Sequence, residues 1–414
     1  MRIVFIHRRG PGQFLHLAPH LAAEGWEATL ICETCDRPLP GVRVIRHRAE
    51  QGVRERDDAT PHLAAPERHV RIGYRVAETL DALRRAEGPP DMVFGHMGWG
   101  GLIFAKDVLP ATPVLGYCEY FHRAAGGDAG FDPSEAVTLD DRLRLRLRNS
   151  AQLITLDAIE GGISPTSWQR SRYPPAHQKR IAVCHDGIDV ELCRPQTDAT
   201  FTLPDGRVLA PGDPVVTYAA RDLEPYRGFP QFMRAAAEVA RRRPDAVFAV
   251  AGGDGVSYGR APEGGGTWRE TLMAETGLDP SRIFFLGTLP HEALLRLFRV
   301  SAAHVYLTYP FVLSWSVLEA MACGALVIGS ATAPVQEVIE DGRNGLLTPF
   351  FDEAALAERM LEALTHREAL SHARAAARRT IVERYALPRA LARQTALLRS
   401  LSRNGEAVSA ATAG

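Results

Sequence analysis

The sequence predicts an α/β protein of two domains, each built on a parallel sheet, and three observations predict it. Strand-like apolar runs alternate with helix-period segments from the first residues. The alternation gives way over residues 196–212 to turn-rich composition, with Leu203-Pro-Asp-Gly206 and Ala210-Pro-Gly212, which reads as a linker or small hairpin. It then restarts at Val215. A chain of 414 residues is long for one core and ordinary for two. Apolar content of 46% and charged content of 23% are those of a soluble globular protein, and a net charge of −1 gives no electrostatic reason to expect nucleic acid.

The opening Met1–Ile6 reads as a buried strand, too short for the apolar part of a signal peptide. No run of about 18 apolar residues occurs, so a cytoplasmic protein is expected, at most peripheral to the inner face of a membrane. The six cysteines form no disulfide framework. Cys32-Glu-Thr-Cys35 lacks a second pair and reads as structural.

Taken in order, Ile3–Ile6, the apolar-periodic Phe14–Ala23 and Ala28–Ile31 make a βαβ opening. Between strand and helix lies His7-Arg-Arg-Gly-Pro-Gly-Gln13. Gly10 and Gly12 allow a tight turn or a close ligand, and Leu15 stands where a dinucleotide fingerprint has its third glycine. Residues 50–70 are charged and irregular, followed by a helix from about 69 to 86. Met92–Phe94 is a strand ending in Gly95-His-Met-Gly-Trp-Gly-Gly101, where glycines leave room around the ring of His96 at the carboxyl end of a strand. Val114–Tyr117 is another strand, ending in Glu119-Tyr-Phe-His122, so Glu119 and His122 are candidates to line the same cleft or to sit in an ordinary loop.

Asp140–Arg148 alternates Arg and Leu but reads as a helix with a basic surface. That surface suits an anionic acceptor or a membrane, and a plain solvated face is the simpler reading. Leu153–Leu156 is strand-like, Ile163–Gln169 reads as a helix start, and Ile181–Cys184 is a further strand.

The second half gives Val215–Ala219 as strand, a loop with Arg221 and Arg227, a helix over 229–242, Ala246–Ala251 as strand and then Gly252-Gly-Asp-Gly255. Two guanidinium groups after a first strand suit a diphosphate. After Ile283–Leu286 and a helix at 291–300 come the strand His304–Thr308, a loop, a helix and the strand Ala325–Ile328. Ser316 and Glu319 have capping-box spacing and Gly324 supplies the stop. A helix N-terminus aimed out of a sheet suits a phosphate. Helix patterns at 354–365, 368–379 and 386–401 close the chain.

The order of these motifs, with Leu318-Glu-Ala-Met-Ala-Cys-Gly324, Pro334-Val-Gln-Glu-Val-Ile339 and Asn344-Gly-Leu-Leu347, resembles the retaining family-4 glycosyltransferases. The resemblance implies the GT-B fold, two Rossmann-like domains with a facing cleft. It implies an acceptor domain at 1–195, a linker at 196–212, a nucleotide-sugar domain at 213–385, a helix at 386–403 crossing back to the first domain, and a disordered tail at 404–414. It also implies a nucleoside-diphosphate sugar as donor and an unidentified saccharide, lipid-linked or small molecule as acceptor.

Carried over, the resemblance gives catalytic roles to His96, Arg221 and Arg227, and donor contacts to Gly10, Gly12, Ser314, Trp315, Ser316 and Glu319, the last holding the ribose. Acceptor or sugar contacts fall to Glu119, His122 and Phe311. The family carries a Glu eight residues before the equivalent of Glu319; here Phe311 stands there. No cofactor is implied. No metal is demanded, because no Asp-x-Asp or His cluster is available, and Asp254 is set aside as a ligand. A nucleotide-sugar epimerase and a non-catalytic carbohydrate- or partner-binding protein are the alternative readings.

Overall fold

The computed structural model describes residues 1–47 and 61–403. The irregular stretch expected from residue 50 falls largely outside them, as does the tail 404–414. The chain forms two units, residues 1–187 with 387–414, and residues 188–386.

In the first unit seven parallel strands form one sheet: β1 (Arg2–Ile6), β2 (Glu27–Cys32), β3 (Val42–Arg46), β4 (Met92–His96), β5 (Val114–Tyr117), β6 (Gly161–Ser164) and β7 (Ile181–Val183). Their order is β3-β2-β1-β4-β5-β6-β7. Successive side chains of β1 point to opposite faces, as a strand requires. Ile3 and Phe5 join Phe14, Leu17, Leu21 and Phe94 on one side, while Val4 and Ile6 join Ile72, Val76, Leu80 and Val93 on the other. Helix α1 (Leu17–Ala23) supplies Leu17 and Leu21, and helix α2 (Ala64–Glu87) supplies Ile72, Val76 and Leu80. Further along come α3 (Leu139–Arg148), which has a Thr138/Asp141 capping box, and α4 (Ser150–Ala158).

Leu153–Leu156, expected as a strand, is part of α4. Its buried residues Ala151, Gln152, Thr155 and Leu156 recur with the period of a helix, and the strand comes next, at Gly161–Ser164. Two glycines hide that strand from propensity reasoning. They are needed for close approach, because a Cβ on Gly162 would lie 2.5 Å from Cys118 Sγ.

The second unit repeats the plan with β8 (Val215–Asp222), β9 (Val247–Gly253), β10 (Ile283–Phe285), β11 (Ala303–Tyr306), β12 (Val327–Ser330) and β13 (Leu346–Thr348), ordered β10-β9-β8-β11-β12-β13. The helices α5 (Phe229–Arg242), α6 (His291–Val300), α7 (Trp315–Ala322), α8 (Glu353–Thr365) and α9 (Ser371–Arg384) belong to it. Residues 201–202 and 208–209 pair as a hairpin, and Phe201, Leu203 and Leu209 bury in this unit's core. Residues 188–195 also belong here, not with the first domain. Ile188, Val190 and Cys193 pack with Leu318 and Ala322, and Arg378 donates to the carbonyls of Val190 (2.8 Å) and Cys193 (2.5 Å). The final helix α10 (Leu387–Arg403) is part of the first unit, with Leu391 and Leu398 buried against Leu17 and Leu21.

Beneath the second sheet His304 of β11 is fully buried, its Nδ1 2.9 Å from Thr217 Oγ1 of β8. Burial pushes its pKa down to about 3. Since the unfolded value is near 6.5, the unfolded chain takes the proton first. The stability tied to neutral His304 is complete above about pH 6.5 and falls away as the pH drops toward 3. Between pH 7 and pH 5 this amounts to about 2 kcal/mol at most. Denaturant unfolding of His304→Gln should therefore lose less stability over that interval than the parent; an equal loss contradicts the assignment.

Candidate active site

In both sheets the chain winds outward from the first strand in one direction and then restarts on its other side, between β1 and β4 and between β8 and β11. Loops leaving the carboxyl ends of two such strands part in opposite directions, which leaves a crevice for ligands. Some of the predicted residues, His96 and Glu119 in the first unit and Arg227 and Ser314 in the second, lie at these two places.

At the first, β1 runs into His7, β4 ends on His96, and Glu119 lies two residues past β5. The backbone N–H of Arg9 donates to His7 Nδ1 at 3.0 Å and that of Gly98 donates to His96 Nδ1 at 3.0 Å. Each Nδ1 is therefore an acceptor, and each Nε2 carries the hydrogen of the neutral ring. His7 Nε2 then donates to Gln13 Oε1 (2.9 Å), Gln13 Nε2 donates to Glu119 Oε1 (2.7 Å), and His96 Nε2 donates to Glu119 Oε2 (3.2 Å). Burial alone would raise the Glu119 pKa, but the hydrogen bond from His96, with His7 and Gln13, holds it below the ordinary carboxylate value. Burial, and then His96, push His7 down to about 3. The result is a fixed, ionised carboxylate, its side chain 28% exposed, held by a His96 side chain only 3% exposed.

The glycines serve this network. A Cβ on Gly12, whose φ is +52°, would lie 2.4 Å from the His7 ring, and one on Gly98 would lie 2.9 Å from the His96 ring. Gly10 faces the core instead, 2.8 Å from Leu30 at its would-be Cβ. His7 and Gln13 carry as much of the arrangement as His96. Their signal in the sequence was a His at a strand's carboxyl end and a Gln six residues on. His122 is not part of it. Its backbone exchanges hydrogen bonds with the Asn149 side chain, and its ring lies among His69, Arg144 and Arg148.

At the second place Arg227 Nη1 donates to Thr308 Oγ1 (2.7 Å) and to the Tyr306 hydroxyl (3.4 Å), and that hydroxyl also accepts from the backbone N–H of Ser314 (2.9 Å). Tyr306 thus ties the guanidinium to the start of α7. The Arg221 side chain is exposed and makes no hydrogen bond or ion pair among the described residues. Buried Glu224 accepts from the N–H groups of Ser257, Tyr258 and Gly259, which shapes the loop after β9. Arg227 also lies 5.3 Å from the Tyr258 ring centroid.

The capping box expected at Ser316 and Glu319 does not form. Ser314 has extended backbone (ψ 145°) and its side chain caps α7 by accepting from the Ser316 N–H, so Ser316 lies inside the first turn. Glu319 is then in the second turn, 13% exposed, with its Oε1 2.8 Å from His291 Nε2. Gly324, at φ +84°, ends the helix. The Trp315 side chain packs on the core. Phe311 sits in an aromatic group, its ring 5.4 Å from Tyr226 and 5.3 Å from Tyr258, so a hydrophobic wall stands where the family carries a carboxylate. Asp254 is ion-paired with Arg269 at 2.9 Å. Among the described residues no three His, Cys, Asp or Glu side chains gather as a metal site.

Comparison with known proteins adds to this geometry. The family described as Glycosyl transferase family 4 group matches residues 24–193, and that described as Glycosyl transferases group 1 matches residues 204–380. A D-inositol 3-phosphate glycosyltransferase of Mycobacterium sp. (strain JLS) is 29% identical over 177 residues, 43% of this chain but only 38% of that relative's length. The 2-deoxystreptamine N-acetyl-D-glucosaminyltransferase of Streptomyces fradiae is 28% identical over 72% of this chain and 68% of its own.

Among solved structures, sucrose-phosphate synthase from Thermosynechococcus elongatus superposes with a TM-score of 0.72 at 19% identity, over 97% of this chain and 99% of that one. Anabaena Alr3699/HepE, solved in complex with UDP and glucose, has a TM-score of 0.66 at 16% identity, over 97% and 100%. Between them the two family matches take in most of both units, and the chain belongs to the GT-B glycosyltransferases, with a family 4 N-terminal half and a group 1 C-terminal half.

Proposed function

We propose that this protein transfers a hexose from a nucleoside-diphosphate sugar to an acceptor hydroxyl with retention of anomeric configuration, without a metal ion. The observation that carries the reading is the pair of arginines at the second crevice. Arg227 is fixed by Thr308 and Tyr306, while the Arg221 side chain is exposed with no partner among the described residues, one of them preorganised and the other open to a charged ligand. Tyr306 also sets the first turn of α7, whose N–H groups and dipole favour an anion. Relatives solved with UDP or UDP-glucose support a nucleotide sugar as donor.

As the anomeric C–O bond to the diphosphate lengthens, negative charge grows on the leaving oxygens. Arg221, Arg227 and the start of α7 are fixed positive groups for that charge, each contributing on the order of a few kcal/mol. The acceptor oxygen attacks from the same face, and the departing phosphate takes its proton, so no side-chain nucleophile is required. In the first unit the Glu119 carboxylate is the more open group, and it accepts a hydrogen bond from the acceptor hydroxyl to orient it. His96 and Gln13 act on the acceptor through Glu119. Glu319, held by His291, takes the ribose hydroxyls. The Phe311 wall offers the transferred sugar an apolar surface in place of a carboxylate.

Incubation with a panel of nucleotide sugars should release nucleoside diphosphate slowly, and more rapidly once an acceptor is found; a free sugar epimer would support an epimerase instead. Arg221→Ala should weaken binding of the released nucleotide by about tenfold or more, the loss of a charge-assisted hydrogen bond. Unchanged affinity by calorimetry sinks the donor assignment. Glu119→Gln should leave nucleotide affinity intact and slow transfer to the acceptor by about tenfold or more, because a neutral amide orients the hydroxyl less strongly. An equal effect of this change on nucleotide affinity would remove Glu119 from the acceptor's side of the reaction.

A further inference from the structure

Beside the Glu119 network lies a second group of polar side chains that the transfer chemistry leaves unused. Arg8 follows β1, Trp99 follows β4, His122 follows β5, His69 comes from α2, and Arg144 and Arg148 come from α3. Their nearness is recorded by several contacts. The Arg8 guanidinium lies 5.7 Å from the Trp99 ring centroid, and the Trp99 ring 5.8 Å from that of His96. The backbone of His69 abuts Gly100, where a Cβ would stand 2.3 Å from the His69 carbonyl oxygen. His69 feels the charges of Arg148, Arg68 and Arg8, and His122 those of Arg148, Arg144 and His69.

Two features set this group apart. Trp99 Nε1, His69 Nδ1 and His122 Nδ1 are buried and have no hydrogen-bond partner among the described residues. His69 as a whole is 7% exposed. Buried ring nitrogens left unsatisfied are costly and uncommon, and an unfilled ligand site is one ordinary reason for them. The field at both imidazoles is also cationic. Arg8 pairs with Glu33 and Arg144 with Asp141, yet the charges acting on His69 are those of Arg148, Arg68 and Arg8, and those acting on His122 are those of Arg148, Arg144 and His69. Burial and those arginines hold the rings neutral, at about 4 for His69 and about 3 for His122, so each carries one N–H that can be donated.

We propose that Arg8, His69, Trp99, His122 and Arg148 form a subsite for an anionic group, a phosphate monoester above all, carried by the acceptor. Three neutral ring nitrogens and a cationic surround match a tetrahedral oxyanion, whose several acceptor oxygens satisfy donors arriving from different elements. The subsite adjoins His96, so it would hold the acceptor by its charge while a hydroxyl of the same molecule reaches Glu119. This extends the transferase reading, but the binding of the anion stands apart from it.

The test uses the full-length protein with saturating UDP to occupy the diphosphate site. Inorganic phosphate and glycerol 3-phosphate are titrated by 31P line broadening, with glycerol as the uncharged control. Both phosphates should bind with UDP present and glycerol should not. Trp99→Phe, which keeps the ring and removes only its N–H, and Arg148→Gln should each weaken glycerol 3-phosphate by about tenfold or more, with UDP affinity unchanged as the sign of a folded protein.

Sedimentation with phosphatidylcholine vesicles, with and without phosphatidylglycerol, separates the sources of the anion. Binding to anionic vesicles that Trp99→Phe abolishes would place the phosphate on a lipid; binding of glycerol 3-phosphate alone places it on a soluble acceptor. Phosphate that binds only in competition with UDP, or that binds both variants as it binds the parent, overturns the subsite. Failure of UDP to bind while phosphate binds would instead count against the donor reading.

Discussion

Everything at the two candidate sites depends on one topological constraint, the reversal of winding beside the first strand of each parallel sheet. The backbone hydrogen bonds of a strand end with the strand, so residues just past it are free to turn their side chains and N–H groups toward a ligand. Where neighbouring loops leave in opposite directions, that freedom opens into a crevice. The orders β3-β2-β1-β4 and β10-β9-β8-β11 create such a place in each unit. His7, His96 and Glu119 gather at one, and Arg227, Thr308 and Ser314 at the other, because those are the residues their strands end on or soon after.

The two places are built differently, and the difference follows from burial. In the first unit a chain of neutral donors fixes one carboxylate: His7 acts through Gln13, and His96 acts directly. The backbone N–H groups of Arg9 and Gly98 decide which nitrogen of each imidazole is protonated, so the backbone orients the carboxylate through the rings. In the second unit one cation is fixed by neutral hydroxyls and another is left open. A fixed anion and a fixed cation, each held by uncharged partners, keep their charge available for a substrate. A direct salt bridge would have spent it.

Much of the fold could be read in the sequence, because buried parallel strands make short apolar runs and the helices keep their own period. Leu153–Leu156 misled for the opposite reason: an apolar run of four has no period to show, while the real strand at Gly161–Ser164 is written with glycines that close packing demands. Ser316 and Glu319 have the spacing of a capping box, but spacing cannot tell that Ser314, two residues earlier, already takes the cap. Of the site, Arg227, His96 and Glu119 were legible as polar residues at strand ends. The roles of Gln13, Tyr306 and His291 were not, since each is defined by a partner many positions away in the chain, Glu119, Arg227 and Glu319 respectively.

The central claim, that the second crevice with Arg227 and the start of α7 receives a nucleoside diphosphate, is open to hydrogen exchange followed by mass spectrometry. Saturating UDP should slow exchange in peptides covering residues 221–228 and 314–319 and leave the peptides of α2 unchanged. Binding of UDP with no protection in either of those two segments would contradict it.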